Sequence, residues 1–297
     1  MIQVKKLGLH LGAEISGVDL TTPLDEATFA EVAHAFFDNE VVVFPNQFLT
    51  PAQQIAFTRR FGILEAHVRK ESRLDGYDEI FILSNKVDAQ GNAIGAQDAG
   101  RFWHSDLSYK RQPSMLSALN AVEIPIKNGV ALGNTLFAST TAAYLALSEE
   151  EKKSLQGLRN VHSYREYRTK NYAAQLEDMR LGIRTVQEHA PTEEQLASVP
   201  DTEMDVIRTH PVTGRQGLFI NEGHTSHLTG MSRQDSDARL AKLYAHIVQP
   251  AFTYTHHWQA GDLLMWDNIA LQHKASFDYD PLPRLMYRTT VRGPVVT

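Results

Sequence analysis

Short apolar runs closed by turn residues recur along this sequence and limit its fold more than any other feature. Residues 80–83, 114–122, 135–138, 217–221, 251–258, 262–266 and 285–292 each have the length and composition of a strand, and several are bounded by Gly, Pro, Asp or Asn. The last 80 residues are especially rich in them. Helical signals lie elsewhere. Phe29, Val32, Ala33, Phe36 and Phe37 are spaced for one helical face after Thr22-Pro23, and Val41-Val42-Val43-Phe44 follows as a buried strand. Thr50 before Pro51, with Gly62 beyond, marks a second helix, and Ser148 with Glu151 is a capping box. Leu240, Leu243, Tyr244, Ile247 and Val248, stopped by Pro250, mark another. The expected class is mainly β with flanking helices, arranged as a sandwich or barrel.

No stretch reads as a linker, so residues 1–297 are expected to form a single domain, with a mobile loop near 88–101 and an insertion at about 166–205 that covers a site. A chain of 297 residues buries about three-quarters of the surface its unfolded form exposes. It needs no metal or disulfide merely to hold together, so any metal site is a candidate for chemistry. The sequence contains no cysteine, which removes disulfides, iron–sulfur clusters and thiol nucleophiles and leaves His, Asp and Glu as metal ligands. With 29 basic against 35 acidic residues, and no basic run longer than two, nucleic acid is not expected as a partner. The first residues lack a signal-peptide core and no apolar stretch is long enough to span a bilayer, so a cytoplasmic protein with no membrane partner is expected.

The chemistry-bearing residues come in two separated groups. Phe102-Trp103-His104-Ser105-Asp106 places an imidazole and a carboxylate two residues apart, which in a strand puts both on one face. A His followed two residues later by Asp or Glu should arise by chance about 1.5 times in this composition, so the pair alone carries no weight. Far along the chain Trp266-Asp267-Asn268 closes a β-like run, and His273, Arg284 and Arg288 follow. His273 added to His104 and Asp106 makes two histidines and one carboxylate, the facial set that holds Fe(II) and leaves positions open. The same ligands could instead hold Zn²⁺ in a hydrolase or lyase, or persist as a relict in a non-catalytic jelly-roll binding protein. No Gly-x-Ser-x-Gly elbow or P-loop occurs.

Seven blocks extend the pattern in order across nearly the whole chain: Leu11 to Leu20, Val43-Phe44-Pro45-Asn46-Gln47, Phe57-Thr58-Arg59-Arg60-Phe61-Gly62, Trp103-His104-Ser105-Asp106, Gly133-Asn134-Thr135, Met265-Trp266-Asp267-Asn268 with His273, and Arg284 with Arg288. In them the sequence resembles the Fe(II)- and 2-oxoglutarate-dependent dioxygenases grouped around taurine dioxygenase and 2,4-dichlorophenoxyacetate dioxygenase. The resemblance implies a double-stranded β-helix, or jelly roll, with the metal between its two sheets. It implies His104, Asp106 and His273 as ligands of Fe(II), Thr135 and Arg284 as the residues that seat 2-oxoglutarate, and O2 as the second co-substrate. An arginine fork suits the distal carboxylate. Leu132 stands where the family has the first of two glycines, so the block around Thr135 departs from the pattern. The implied reaction couples decarboxylation of 2-oxoglutarate to hydroxylation of an unactivated C–H bond. Related halogenases lack the carboxylate that Asp106 supplies.

For the substrate, Arg288 matches a family arginine that meets an anionic group, Lys70 a lysine of the phenoxyacetate enzymes, and His67 a substrate-contacting histidine of taurine dioxygenase. Gly100 replaces an asparagine of the latter. A small organic anion is therefore expected, a carboxylate such as an aryloxyalkanoate ahead of a sulfonate, with a homo-oligomer expected by analogy. Plainer readings stand beside these. Arg69 and Lys70 suit an exposed charge pair, Trp103 and Trp266 suit packing, and His224, His227, His256 and His257 suit structural roles.

Overall fold

Strand Val41–Phe44 shows why the chain is layered as it is. All four side chains are buried, Val42 and Phe44 on one side of the sheet and Val41 and Val43 on the other. A strand covered on both faces has no use for polar alternation, hence the unbroken apolar run. The computed structural model describes residues 1–97, 99–182 and 190–295. In it this strand is third in an eight-stranded sheet ordered Gln3–Lys6, Ala13–Ser16, Val41–Phe44, Leu263–Asp267, Ser114–Glu123, Leu285–Arg292, Tyr77–Ser84 and Arg73–Leu74. Neighbours are antiparallel except the second and third strands.

One face of this major sheet carries helices Glu26–Asn39 and Pro51–Arg59, whose Val32, Phe36, Ile55 and Phe57 pack with Ile15, Phe44, Met265 and Val291. The other face meets a three-stranded minor sheet, ordered Thr253–His256, Thr135–Ser139 and Leu271–Ala275. Between them lie Val43, Leu119, Phe137, Leu264, Trp266 and Met286. Each such buried side chain contributes about 1.5–3 kcal/mol, so the mutual placement of the two sheets is strongly fixed. Among the described residues the sheets do not join into a closed barrel. Nor is any helix long and apolar enough to cross a membrane.

The expected helix starts are capped as their residues require. Thr50 caps the helix that opens on Pro51, joined in a capping box by Gln53, and Ser148 and Glu151 form another; the helix Arg233–Ile247, whose start is not among the expected ones, is capped by Ser232. Two further stretches singled out in the sequence have local structure. Within residues 88–97 the Asp88 carboxylate accepts from the N–H groups of Gln90 and Asn92, and Ala96 N–H donates to the Ile82 carbonyl of the adjacent strand at 2.9 Å. The stretch 166–205 carries most of helix Tyr164–Arg180, helix Glu193–Ala197, and strand Thr202–Asp205 paired with Arg159–His162. Asp98 of the loop and residues 183–189 of the insertion lie outside the described residues.

Candidate metal centre

The backbone pairing that builds the site lies at the edge of the minor sheet. His104 and His273 exchange both backbone hydrogen bonds, at 3.1 and 2.8 Å, and Ala275 N–H donates to the Gly100 carbonyl at 2.8 Å. Directly paired residues project to the same face, and the two imidazole centroids lie 4.1 Å apart. Periodicity placed His104 and Asp106 on one strand. Instead, His104 sits at an isolated bridge and the chain turns at once, with Leu107 at φ 54°. Asn268 Oδ1 accepts the Asp106 N–H at 3.0 Å, so the carboxylate reaches the imidazoles through a turn rather than through the pleat. The donor atoms of His104, Asp106 and His273 lie within 4.8 Å of one another, and all three residues are buried.

His104 Nδ1 lies 2.9 Å from the Phe102 carbonyl and 3.0 Å from that of His273. Both are acceptors, so Nδ1 carries the proton and the Nε2 lone pair is left for a metal. That Nε2 is 3.7 Å from Asp106 Oδ1, and His273 Nε2 is 3.8 Å from Oδ2. Trp266 packs on the His273 ring at 4.7 Å and sends its indole N–H to Asn268 Oδ1 at 3.1 Å, so it supports the site as well as filling the core. The Asn268 amide donates to the hydroxyls of Ser114 and Ser117, and Ser117 donates to Asp106 Oδ2 at 2.6 Å. The roles of Asn268 and Ser117 were not read from the sequence; the only signal was that Asn268 closes the Trp266-Asp267-Asn268 block. Asp267 points elsewhere, to His210 at 2.7 Å.

Arg288 donates to Asp106 Oδ1 at 2.6 Å. Burial works to raise the Asp106 pKa, but the Arg288 guanidinium, then His273 and His104, hold the carboxyl well below its usual range. Burial first, and then His104, push His273 well below its ordinary value and favour the neutral imidazole that a metal takes.

Arg284 and Arg288, four residues apart, do not share one setting. Strand Leu285–Arg292 begins after Arg284, and its register slips between Leu285, opposite Glu123, and Met286, opposite Ala121. Arg288 faces the metal residues, while Arg284 lies against Gly133 and 5.5 Å from the Tyr279 ring centre. Gly133 has φ +75°, which favours glycine, and a Cβ there would stand 3.0 Å from Arg284 Nε and push on that side chain. Both arginines are buried with an Nε that has no partner, a donor kept from water that an anion would satisfy. Thr135, also buried, accepts the Trp258 indole N–H on Oγ1 at 3.1 Å. Its own hydroxyl proton is left to donate. Thr135 stands two residues from Phe137, the register partner of His273.

A cavity of about 40 Å³ is lined by His104 and Asp106, with Arg288, His67, Phe81 and His224 also in its wall. The His67 ring lies 4.0 Å from that of Phe81, and its Nδ1 accepts the Arg69 N–H at 3.1 Å. Burial, then the Arg288 charge, push its pKa well below the ordinary value. Lys70 does not reach the cavity: it is exposed at the start of the tight turn Lys70–Ser72. Arg69, expected to share that exposure, is buried and lines the cavity. Successive side chains of such a turn point about 120° apart, so one faces inward while its neighbour faces water. Helix Tyr164–Arg180 adds Tyr164, Tyr167, Arg168 and Asn171 to the lining. His224, read as structural, also belongs to the wall, with its ring 5.8 Å from that of His104 and its Nδ1 3.1 Å from Ser108 Oγ.

Two sheets around a buried pair of imidazoles and a carboxylate gain their meaning by comparison. Residues 3–290 match the family model described as taurine catabolism dioxygenase TauD, TfdA family. The chain belongs to the TauD, TfdA family. Pentalenolactone F synthase of Streptomyces arenae is 33% identical over 291 residues, covering 96% of this chain and 92% of that protein. The alpha-ketoglutarate-dependent 2,4-dichlorophenoxyacetate dioxygenase of Burkholderia sp. (strain RASC) is 34% identical over 270 residues, or 88% and 84% of the two chains. The crystal structure of AAD-2 in complex with Mn(II) and N-oxalylglycine superposes with a TM-score of 0.78 at 31% identity, over 100% of this chain and 99% of that one. The two-sheet core is thus the jelly roll of the TauD-type dioxygenases. This TauD, TfdA family member is an oxidoreductase that depends on Fe(II), 2-oxoglutarate and O2. Membership sets aside the hydrolase, lyase and non-catalytic readings that the residues alone left open.

Proposed function

We propose that the protein hydroxylates an unactivated C–H bond of a small organic anion, a carboxylate such as an aryloxyalkanoate ahead of a sulfonate, with release of succinate and CO2. The observation that carries this reading is the meeting of three buried donors, on His104, Asp106 and His273, with an arginine that touches the donor carboxylate and keeps a spare N–H. The neutral imidazole of His273, the ionised carboxylate of Asp106 and the Nε2 atoms of both histidines, 3.7 and 3.8 Å from that carboxylate, fit Fe(II). When bound there, the metal supplies the oxidising chemistry of O2 and 2-oxoglutarate.

The chain's own part is to bind and orient. Arg284 takes the distal carboxylate of 2-oxoglutarate, Gly133 leaves room for its fork, and Thr135 donates its hydroxyl proton to the same co-substrate. Arg288 meets the substrate's acid group. Because it also holds Asp106, one guanidinium ties the substrate's position to that of a metal ligand. Phe81, backed by His67, offers a flat apolar wall suited to an aryl ring. The name of the 2,4-dichlorophenoxyacetate dioxygenase relative supports the carboxylate preference. Lys70, exposed, has no place in this reading.

The test is oxygen uptake and succinate formation by purified protein with Fe(II), ascorbate and 2-oxoglutarate. Carboxylates should stimulate both more than sulfonates, sulfates or phosphonates of matched size. Stimulation by sulfonates alone would overturn the preference, and stimulation by none of the four classes would overturn the substrate class. A homo-oligomer is the solution state we propose by analogy, which light scattering reads directly.

A further inference from the structure

We infer that Arg208 anchors a second ligand site, separate from the metal residues, that takes an organic monoanion with an apolar body. The site stands whether or not the substrate proposed above is the right one.

Strand Ile207–Thr209, paired with Gln216–Leu218, borders a cavity of about 280 Å³ whose wall includes Arg208, Met204, Ile207, Pro211, Phe219 and Pro294. Among the described residues, this wall shares none with the chamber at His104 and Asp106. Packed side chains stand between the two. The Phe219 ring lies flat on that of His162, with centroids 5.5 Å apart and 4° between the planes. His162 Nδ1 is 3.0 Å from Ser108 Oγ, which in turn is 3.1 Å from Nδ1 of His224 in the wall of the metal chamber. A ligand in the outer cavity is therefore held apart from the reacting centre.

Arg208 is half-buried, its guanidinium carbon is 4.7 Å from the centre of the Phe219 ring, and its Nη1 is shut from water with no hydrogen-bond partner. Burial, against the attraction of Asp267, lowers its pKa from 12.5 to about 10, so the group stays charged at neutral pH. Neither nearby carboxylate answers that charge. Asp267 is taken by the His210 ring at 2.7 Å and by the N–H groups of Ile269 and Ala270, and Asp205, in the same cavity wall, is given to Arg159 at 3.3 Å. A partly desolvated cation left in this state costs the free protein stability, and a ligand carboxylate held by the guanidinium fork offsets that cost. The rest of the wall sets the ligand's body. Met204, Ile207, Pro211, Phe219 and Pro294 offer apolar surface suited to a hydrocarbon chain or ring. The exposed Asp205 sets its charge: Asp205 and Glu203 share one arginine, Arg159, so this side of the cavity is net negative and repels a second acid group.

The experiment measures dissociation constants by calorimetry on the full chain for three probes with one hydrocarbon body: octanoate, uncharged octanamide, and octanedioate, which adds a second acid group. Octanoate should bind saturably, and about tenfold more tightly than octanamide, the yield of one charge-assisted hydrogen bond. Octanedioate should bind more weakly than octanoate. Arg208→Gln should weaken octanoate by about tenfold while leaving octanamide nearly unaffected. Arg208→Lys, which keeps the charge without the fork, should fall between the two proteins. Arg288→Gln, altered in the metal chamber instead, should bind octanoate as the unaltered protein does. Thermal midpoints show that the variants are folded, and Arg208→Gln should melt no lower than the parent, because it removes an unanswered charge. The proposal is overturned if octanoate does not bind, if octanamide or octanedioate binds as well as octanoate, if Arg208→Gln leaves octanoate affinity intact, or if Arg288→Gln is the variant that loses it. Failure of the dioxygenase reading looks different: it appears as absent succinate formation and leaves these affinities unchanged.

Discussion

Replacing Glu40 by glutamine should stabilise the protein, increasingly so as the pH rises. Glu40 joins helix Glu26–Asn39 to strand Val41–Phe44 with φ at 60°; it is 2% exposed, and its Oε2 has no partner. Burial, with help from the Asp267 charge and against the Ser139 hydroxyl, pushes its carboxyl up to about 8, from an ordinary value of 4.5. Between those two pH values the folded state binds one proton more than the unfolded chain. Stability therefore falls by about 1.4 kcal/mol for each pH unit across that window, and the loss is complete above the upper limit. The whole loss is about 5 kcal/mol at most. Glutamine keeps the shape and cannot ionise. For a chain of 297 residues, this amounts to a melting-temperature gap of about 8 °C at most between Glu40→Gln and the unaltered protein at pH 9, closing toward pH 5. Thermal unfolding followed by circular dichroism over that pH range measures it, and titrations common to both proteins cancel. A gap that stays constant with pH, or that narrows as pH rises, would refute the account.

Other substitutions probe the site itself. Asp106→Asn should abolish succinate formation and metal binding, seen by titration with Mn(II). It should also cost about 3 kcal/mol in denaturant unfolding, because Arg288 is left as a buried charge without its partner. Gly133→Ala drives a methyl into Arg284, so affinity for N-oxalylglycine should fall by about tenfold while metal binding is kept; an unchanged affinity would remove Arg284 from the co-substrate site. Trp258→Phe deletes the N–H that holds Thr135 Oγ1, a loss of about 1 kcal/mol. It should appear as a KM for 2-oxoglutarate raised about fivefold with substrate KM unchanged, and the reverse pattern would place Thr135 elsewhere.

What could be read from the sequence divides along a physical line. Local features were legible: Thr50-Pro51, Ser148 with Glu151, and the apolar strand Val41–Phe44 are decided by neighbours a few residues away. His104, Asp106 and His273 were picked out by residue type and by resemblance. The means by which they meet was not, since a cross-chain bridge and a turn at Leu107 leave no periodic trace. Asn268 and Ser117 act through hydrogen bonds to residues far apart in sequence, and an isolated Asn or Ser carries no mark of its partner. Arg69 and Lys70 show the same limit. Adjacent cations look alike in a string, yet the tight turn that follows sends one inward and the other to water.

The bridge between His104 and His273 spans 169 residues. Tethering two points that far apart on a flexible chain costs about 4–5 kcal/mol in entropy, and in the function proposed above Fe(II) would hold the same two points. The ion therefore has nothing to hold in an unravelled polypeptide and acts as a cross-link on the finished one. At a hundredfold excess over its dissociation constant it adds about 2.7 kcal/mol to folding. Iron supply would then govern how long each molecule survives proteolysis, besides whether it can turn over.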